Sequence, residues 1–205
     1  MKLIIISSPD FIENETAFLN RLFENGLAYL HIRKPDAQRE EVEQLLKKIQ
    51  SDFHSRIALH QWHDLKETYR IGGLHFSEDL RAATQKNELS KLKLSGLRLS
   101  TSIHHSEQLD TLDKNFDYVF LSPVFNSISK KGYVGKFSNE PLAVTNQNTA
   151  VIGLGGIDDK NIDLLRALHF DGAALLGHIW ETPELSVPKF QKINERFFTT
   201  SSTIL

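Results

Sequence analysis

The chain contains no cysteine. That excludes disulfides, thiolate zinc sites and a cysteine nucleophile, and it fits a reducing compartment. Long apolar runs are absent as well. The runs present are a handful of residues long, far below the roughly 18–20 needed to span a bilayer. The apolar stretch Leu3-Ile4-Ile5-Ile6 is too short for a signal-peptide core and sits where a first strand would. The expectation is a cytoplasmic protein. Charge of one sign is also lacking: 24 basic residues face 26 acidic ones, a formal net of −2. Such a chain has no whole-molecule attraction for nucleic acid or an anionic membrane. Any anion it binds must be held by a local cluster.

What is present is ordinary globular composition, 40% hydrophobic and 24% charged, which rules out collagen, mucin and a mainly disordered chain. At 205 residues two separate cores would each be thin, so one domain over 1–205 is expected, with 199–205 as a frayed tail. Eight short β-rich runs recur, at 3–7, 27–32, 56–60, 73–76, 96–102, 117–121, 150–154 and 172–176. Most are continuously apolar rather than alternating, the pattern of strands covered on both faces in a parallel sheet. Amphipathic stretches lie between them at 16–25, 39–51, 158–168 and 183–198, with shorter ones at 65–71, 80–84 and 106–112. Eight β units with helical connections predict a compact (β/α)8 barrel; a doubly wound open sheet is the rival.

In such a barrel the active site lies at the carboxyl ends of the strands. Run two ends in His31-Ile32-Arg33-Lys34-Pro35 and run three in His60-Gln61. His75 ends run four, with Glu78 and Asp79 just beyond, and Ser102-Ile103-His104 ends run five. Ser122-Pro123 through Lys130-Lys131-Gly132 follow run six. Gly155-Gly156 follow run seven, and Leu176-Gly177-His178 run eight. Arg33 and Lys34 place positive charge at one strand end, and arginine suits bidentate phosphate contacts. The Ser/Lys loop offers hydroxyl and ammonium donors. The bare amides of Gly155, Gly156 and Gly177 can approach a phosphate. Each also has a plainer reading: a solvated loop for the charges, a tight turn for the glycines. The rim histidines His31, His60, His75, His104 and His178 could bind a transition metal, act as acid and base, or simply be hydrogen-bonded. No HxH or HExxH spacing supports a zinc site.

Together these pieces resemble the thiamine phosphate synthase/TenI family, from the first run to the last. Asp117-Tyr118-Val119, Ser122-Pro123-Val124-Phe125 and Ser127-Ile128-Ser129-Lys130 are similar to the family's D-Y-x-x-x-G-P-x-F-x-T-x-T-K. Ile152 to Ile157 resembles its thiazole-phosphate turn. Arg33 matches the arginine of Q-L-R-x-K, Gly73-Leu74-His75 its G-[IV]-H, and Ser102-Ile103-His104 its S-x-H. The resemblance implies a (β/α)8 barrel and phosphorylated small-molecule partners, with no nucleic acid and no membrane. A homo-oligomer is left open. In the synthase branch, hydroxymethylpyrimidine diphosphate is joined to thiazole phosphate and diphosphate is released. The alternatives are a diverged TenI-like thiazole tautomerase and a non-catalytic binder of phosphorylated thiamine precursors.

The resemblance further implies catalytic roles for Arg33 and Lys130. It implies diphosphate contacts from Arg33, Lys34, His60, Ser102, Ser127, Ser129 and Lys130, and a thiazole-phosphate seat at Gly155, Gly156, Leu176 and Gly177. Mg2+ is the implied cofactor, with Asp79 (or Glu78) as a carboxylate ligand. The chain departs from the pattern at the metal. His60-Gln61 stand where synthases have Asn-Asp, and a neutral amide is a poor ligand for a hard cation. His31 replaces the glutamine of Q-L-R-x-K, and Pro35 its lysine. Pro123 stands, as in synthases, where the TenI branch has a histidine.

Overall fold

The computed structural model describes residues 1–126, 135–137, 141–142 and 149–199. Eight parallel strands close into a barrel in chain order: β1 (Lys2–Ile6), β2 (Tyr29–Ile32), β3 (Ile57–Leu59), β4 (Gly73–Phe76), β5 (Arg98–Ile103), β6 (Tyr118–Leu121), β7 (Ala150–Leu154) and β8 (Gly172–Leu175). Each expected run overlaps one of them. β8 closes on β1 with Lys2 opposite Gly172 and Ile5 opposite Leu175. A Cβ at Gly172 would lie 2.3 Å from the Lys2 carbonyl oxygen, so only glycine permits that approach. The open-sheet alternative is thereby excluded, because an open sheet has no β8–β1 ladder.

Helices cover the outside. α1 (Glu15–Glu24) buries Leu19, Leu22 and Phe23. α2 (Arg39–Lys48) buries Val42, Leu45 and Leu46; it begins with a reciprocal cap between Gln38 and Glu41 and ends in Lys47 and Lys48, as the helix dipole favours. After β3 comes α3 (Leu65–Tyr69). Two helices follow β4, α4 (Glu78–Ala83) and α5 (Lys86–Leu94). α5 escapes a periodicity search because Leu89 is its one buried residue.

The stretch expected to be helical at 158–168 contributes only α6 (Leu164–Ala167). The Asp158 carboxylate accepts the amides of Lys160 and Asn161 at 2.8 and 3.1 Å, and Asn161 Nδ2 donates to the Gly156 carbonyl at 2.8 Å. Those local bonds compete with the helix and delay its start. α7 (Gly177–Trp180) follows β8, and α8 (Ser186–Thr199) packs beside α1 with Val187, Phe190, Ile193 and Phe197 buried. No helix among the described residues is long and apolar enough to cross a membrane.

The larger core lies between the strands and this helical coat. A second, smaller one fills the barrel with Ile4, Ile6, Tyr118, Phe120, Ile152 and Ala174. Its apolar side chains come from β1, β6, β7 and β8. β2, β4 and β5 instead send buried His31, His75 and Ser100 inward. One side of the barrel interior is therefore oily and the other polar.

Candidate active site

Because all eight strands are parallel and the ring is closed, their carboxyl ends share one mouth. The polar side of the interior rises to that mouth as a histidine cluster. His31 on β2 is fully buried, and its register partners are Ile6 and Ala58. Its Nε2 lies 2.7 Å from the Tyr118 hydroxyl, and its Nδ1 lies 2.9 Å from His60 Nε2. His60 stacks on His75 with ring centroids 4.0 Å apart, and His75 stacks on Phe120 at 5.0 Å. His75 Nδ1 meets Ser100 Oγ at 2.9 Å, and its Nε2 meets Ser102 Oγ at 3.0 Å.

Burial keeps these imidazoles neutral. Desolvation, with the Arg98 charge adding to it, pushes His31 down to about 3. His60 and His75 also fall well below the ordinary range, first through burial, then through neighbouring rings and the Arg33 charge. Burial raises the Tyr118 phenol to about 12, so its hydroxyl keeps its proton at neutral pH. At neutral pH the cluster is an uncharged, hydrogen-bonded patch.

Arg33 stands beside it, half-buried after β2. Its amide donates to Ser7 Oγ at 2.9 Å, and that hydroxyl donates to the Arg33 carbonyl at 3.2 Å. The pair pins the β1 and β2 rims together and holds the arginine at the mouth. Ser102 is shared between the His75 ring and Arg81, whose guanidinium donates to the Ser102 carbonyl at 2.8 Å and to Thr101 Oγ1 at 2.7 Å. His104 sits apart from the cluster; its Nδ1 lies 3.0 Å from the Ser122 carbonyl, joining the ends of β5 and β6. Gly155 and Gly156 occupy left-handed backbone at φ +100° and +67°. A Cβ on Gly156 would lie 2.2 Å from the Asn126 carbonyl oxygen. They form a tight turn against the loop after β6, where the Phe125 amide donates to the Gly155 carbonyl at 3.0 Å. The helix does not start at this turn. Leu176 borders the inner core, and Gly177 opens α7.

Lys34 is a correction. Its ammonium does not reach the mouth. It lies fully buried, 2.7 Å from each Glu15 carboxylate oxygen and 2.9 Å from the Asp10 carbonyl, with the Phe11 ring at 4.5 Å. Residues alternate in direction along the chain, so Arg33 and Lys34 part company, and a buried carboxylate on α1 claims the lysine. Burial pushes the Glu15 carboxyl up and the Lys34 ammonium down, and their contact opposes both shifts. Gln61 is also occupied locally: its Oε1 accepts the Lys34 amide at 3.4 Å. Asp79 is exposed on α4, and Glu78 is engaged by Gln108 and Arg81. Ser127, Ser129 and Lys130 lie outside the described residues, as does the tail from 200 onward.

Sequence reading missed Tyr118 and Ser100 as parts of the site. The signal was available: Ser100 lies two residues before Ser102 and Tyr118 four before Ser122, so each shares a strand face with a residue at the strand end. Missed as well were Ser7 and Arg81, which act through strand pairing and a neighbouring helix that sequence spacing does not report.

These features define a (β/α)8-barrel protein with one arginine, a serine and a neutral imidazole cluster at the carboxyl mouth. Residues 3–179 match the family described as thiamine monophosphate synthase, TMP-TENI, and the chain belongs to that family. Among relatives, it is 24% identical over 139 residues to a thiamine-phosphate synthase of Lysinibacillus sphaericus, covering 64% of this chain and 63% of that one. It is 27% identical over 154 residues to the thiamine-phosphate synthase of Klebsiella pneumoniae, covering 71% of each. The crystal structure of a thiamine phosphate pyrophosphorylase from Bacteroides thetaiotaomicron superposes with a TM-score of 0.73 at 25% identity, over 95% of this chain and 96% of that one.

Proposed function

We propose that the protein is a thiamine phosphate synthase-like transferase, working in the cytoplasm on phosphorylated small molecules. It joins hydroxymethylpyrimidine diphosphate to thiazole phosphate. The C–O bond from the pyrimidine methylene to diphosphate breaks, leaving a cation that the aminopyrimidine ring stabilises. The thiazole nitrogen then forms the new C–N bond, and diphosphate departs with its electron pair. No side-chain nucleophile or strong base is required. The protein's task is to hold the leaving anion. Arg33 and Ser102 are assigned to the diphosphate, together with Ser127, Ser129 and Lys130, which follow Asn126 in sequence. The Gly155-Gly156 turn and Gly177 are assigned to the thiazole phosphate.

The observation that carries this reading is the family match over residues 3–179 on a closed barrel whose Arg33, Ser102 and paired glycines sit at strand ends of one rim. Magnesium does not fit the described residues. A hard cation takes oxygen ligands, whereas the one group of three potential ligands among the described residues is all imidazole. No step is therefore routed through magnesium.

The test is incubation of the purified protein with both precursors, with product followed by mass spectrometry and diphosphate release. Thiamine phosphate should form, and Arg33→Ala or Lys130→Ala should each lower kcat by about a hundredfold or more, as loss of a charge-stabilising donor does. Stoichiometric binding of thiazole phosphate without product would replace the reading with a binder. Binding of neither precursor would end it.

A further inference from the structure

We propose that His31, His60 and His75 form a mononuclear transition-metal site at the barrel mouth, selective for zinc-like ions over magnesium. One ring nitrogen of each residue lies within 4.8 Å of one from each of the others. The donor set is all imidazole, which suits Zn2+, Co2+, Ni2+ or Cu2+ and is a poor match for Mg2+.

The surroundings supply what ligand imidazoles need. A metal-binding histidine generally has its second nitrogen held by an oxygen, which fixes the tautomer. Tyr118 Oη does this for His31 Nε2, at 2.7 Å, leaving Nδ1 aimed at His60. Ser100 Oγ does it for His75 Nδ1, at 2.9 Å, leaving Nε2 toward Ser102. The present arrangement is satisfied if His60 Nε2 donates to His31 Nδ1 and Ser102 donates to His75 Nε2. To bind a metal, His60 shifts its proton to Nδ1 and the Ser102 hydroxyl rotates away. No proton leaves the protein.

Two tetrahedral ligands about 2.0–2.1 Å from zinc stand roughly 3.3 Å apart. The His31 Nδ1–His60 Nε2 distance of 2.9 Å thus needs to open by only a few tenths of an ångström. Access is from the mouth, because His60 is half-buried while His31 and His75 are buried. The Arg33 charge beside His60 and His75 opposes a bare dication there. The fourth ligand is therefore an anionic oxygen, hydroxide or a phosphate.

Tag-free protein stripped with EDTA should bind one equivalent of Co2+ with the intense visible bands of a tetrahedral site, and Zn2+ should displace it. Affinity should fall at least tenfold in His60→Ala and in His60→Gln and stay unchanged in His105→Gln, an exposed histidine outside the cluster. X-ray absorption of the zinc-loaded wild type should show a first shell dominated by imidazole nitrogen, a readout that does not depend on variants folding. Absence of stoichiometric binding, binding indifferent to His60, or an oxygen-dominated first shell overturns the site.

Discussion

Acid should unfold this protein through His31 in a way that can be separated from the rest of the chain. The ring is fully buried between Tyr118, His60 and Phe120 and has a pKa of about 3, against 6.5 for an accessible histidine. Its folded-state pKa is depressed, so the unfolded chain takes up a proton below 6.5 that the folded chain refuses. Stability is intact above pH 6.5 and declines as pH falls from 6.5 toward 3. Each pKa unit corresponds to about 1.4 kcal/mol. His31 alone should therefore remove about 2 kcal/mol by pH 5 and about 4 kcal/mol by pH 3. Against a typical total of roughly 5–15 kcal/mol, that is a large share. His60, His75 and His63 are depressed too and act in the same direction. The assay is urea unfolding at half-unit steps from pH 8 to 4.5, with EDTA present to prevent metal linkage. His31→Asn should be less stable at pH 8 yet lose stability less steeply on acidification, by about one proton's worth of slope. If the wild-type slope does not exceed that of the variant, or if the His31 ring titrates near 6.5 by NMR, the burial argument is wrong.

The other predictions concern the neighbours of the site. Lys34→Ala should destabilise by about 3–5 kcal/mol in urea unfolding, since it strands the buried Glu15 carboxylate, while Lys34→Met combined with Glu15→Leu should cost much less. A diphosphate ligand would behave differently, raising KM with stability unchanged. Gly156→Ala forces a Cβ onto the Asn126 carbonyl at φ +67°. It should cost about 1–3 kcal/mol, visible as a lower Tm, and should raise KM for the phosphorylated thiazole more than for the pyrimidine.

The chain by itself determined the architecture. Continuous apolar runs such as Leu3-Ile4-Ile5-Ile6 and Tyr118-Val119-Phe120-Leu121 read as strands covered on both faces, and eight of them with helical spacers point to a barrel, which the β8–β1 ladder closes. It also determined which residues reach the strand ends, because parallel strands make sequence position equivalent to height in the barrel. Arg33, His60, His75, Ser102 and Gly155 were legible for that reason. Tertiary structure alone decided which of them meet. Lys34 and Arg33 are adjacent in sequence, yet one is captured by Glu15 on α1 and the other held at the mouth by Ser7. Both outcomes depend on packing partners more than 15 residues away. His31, His60 and His75 look like scattered rim residues until the closed ring turns their side chains inward, where desolvation strips their charge. The helix expected at 158–168 was lost to side-chain bonds from Asp158 and Asn161, which compete with backbone periodicity. Periodicity records which face is apolar; burial, pairing and electrostatics arise only once distant segments share a low-dielectric interior.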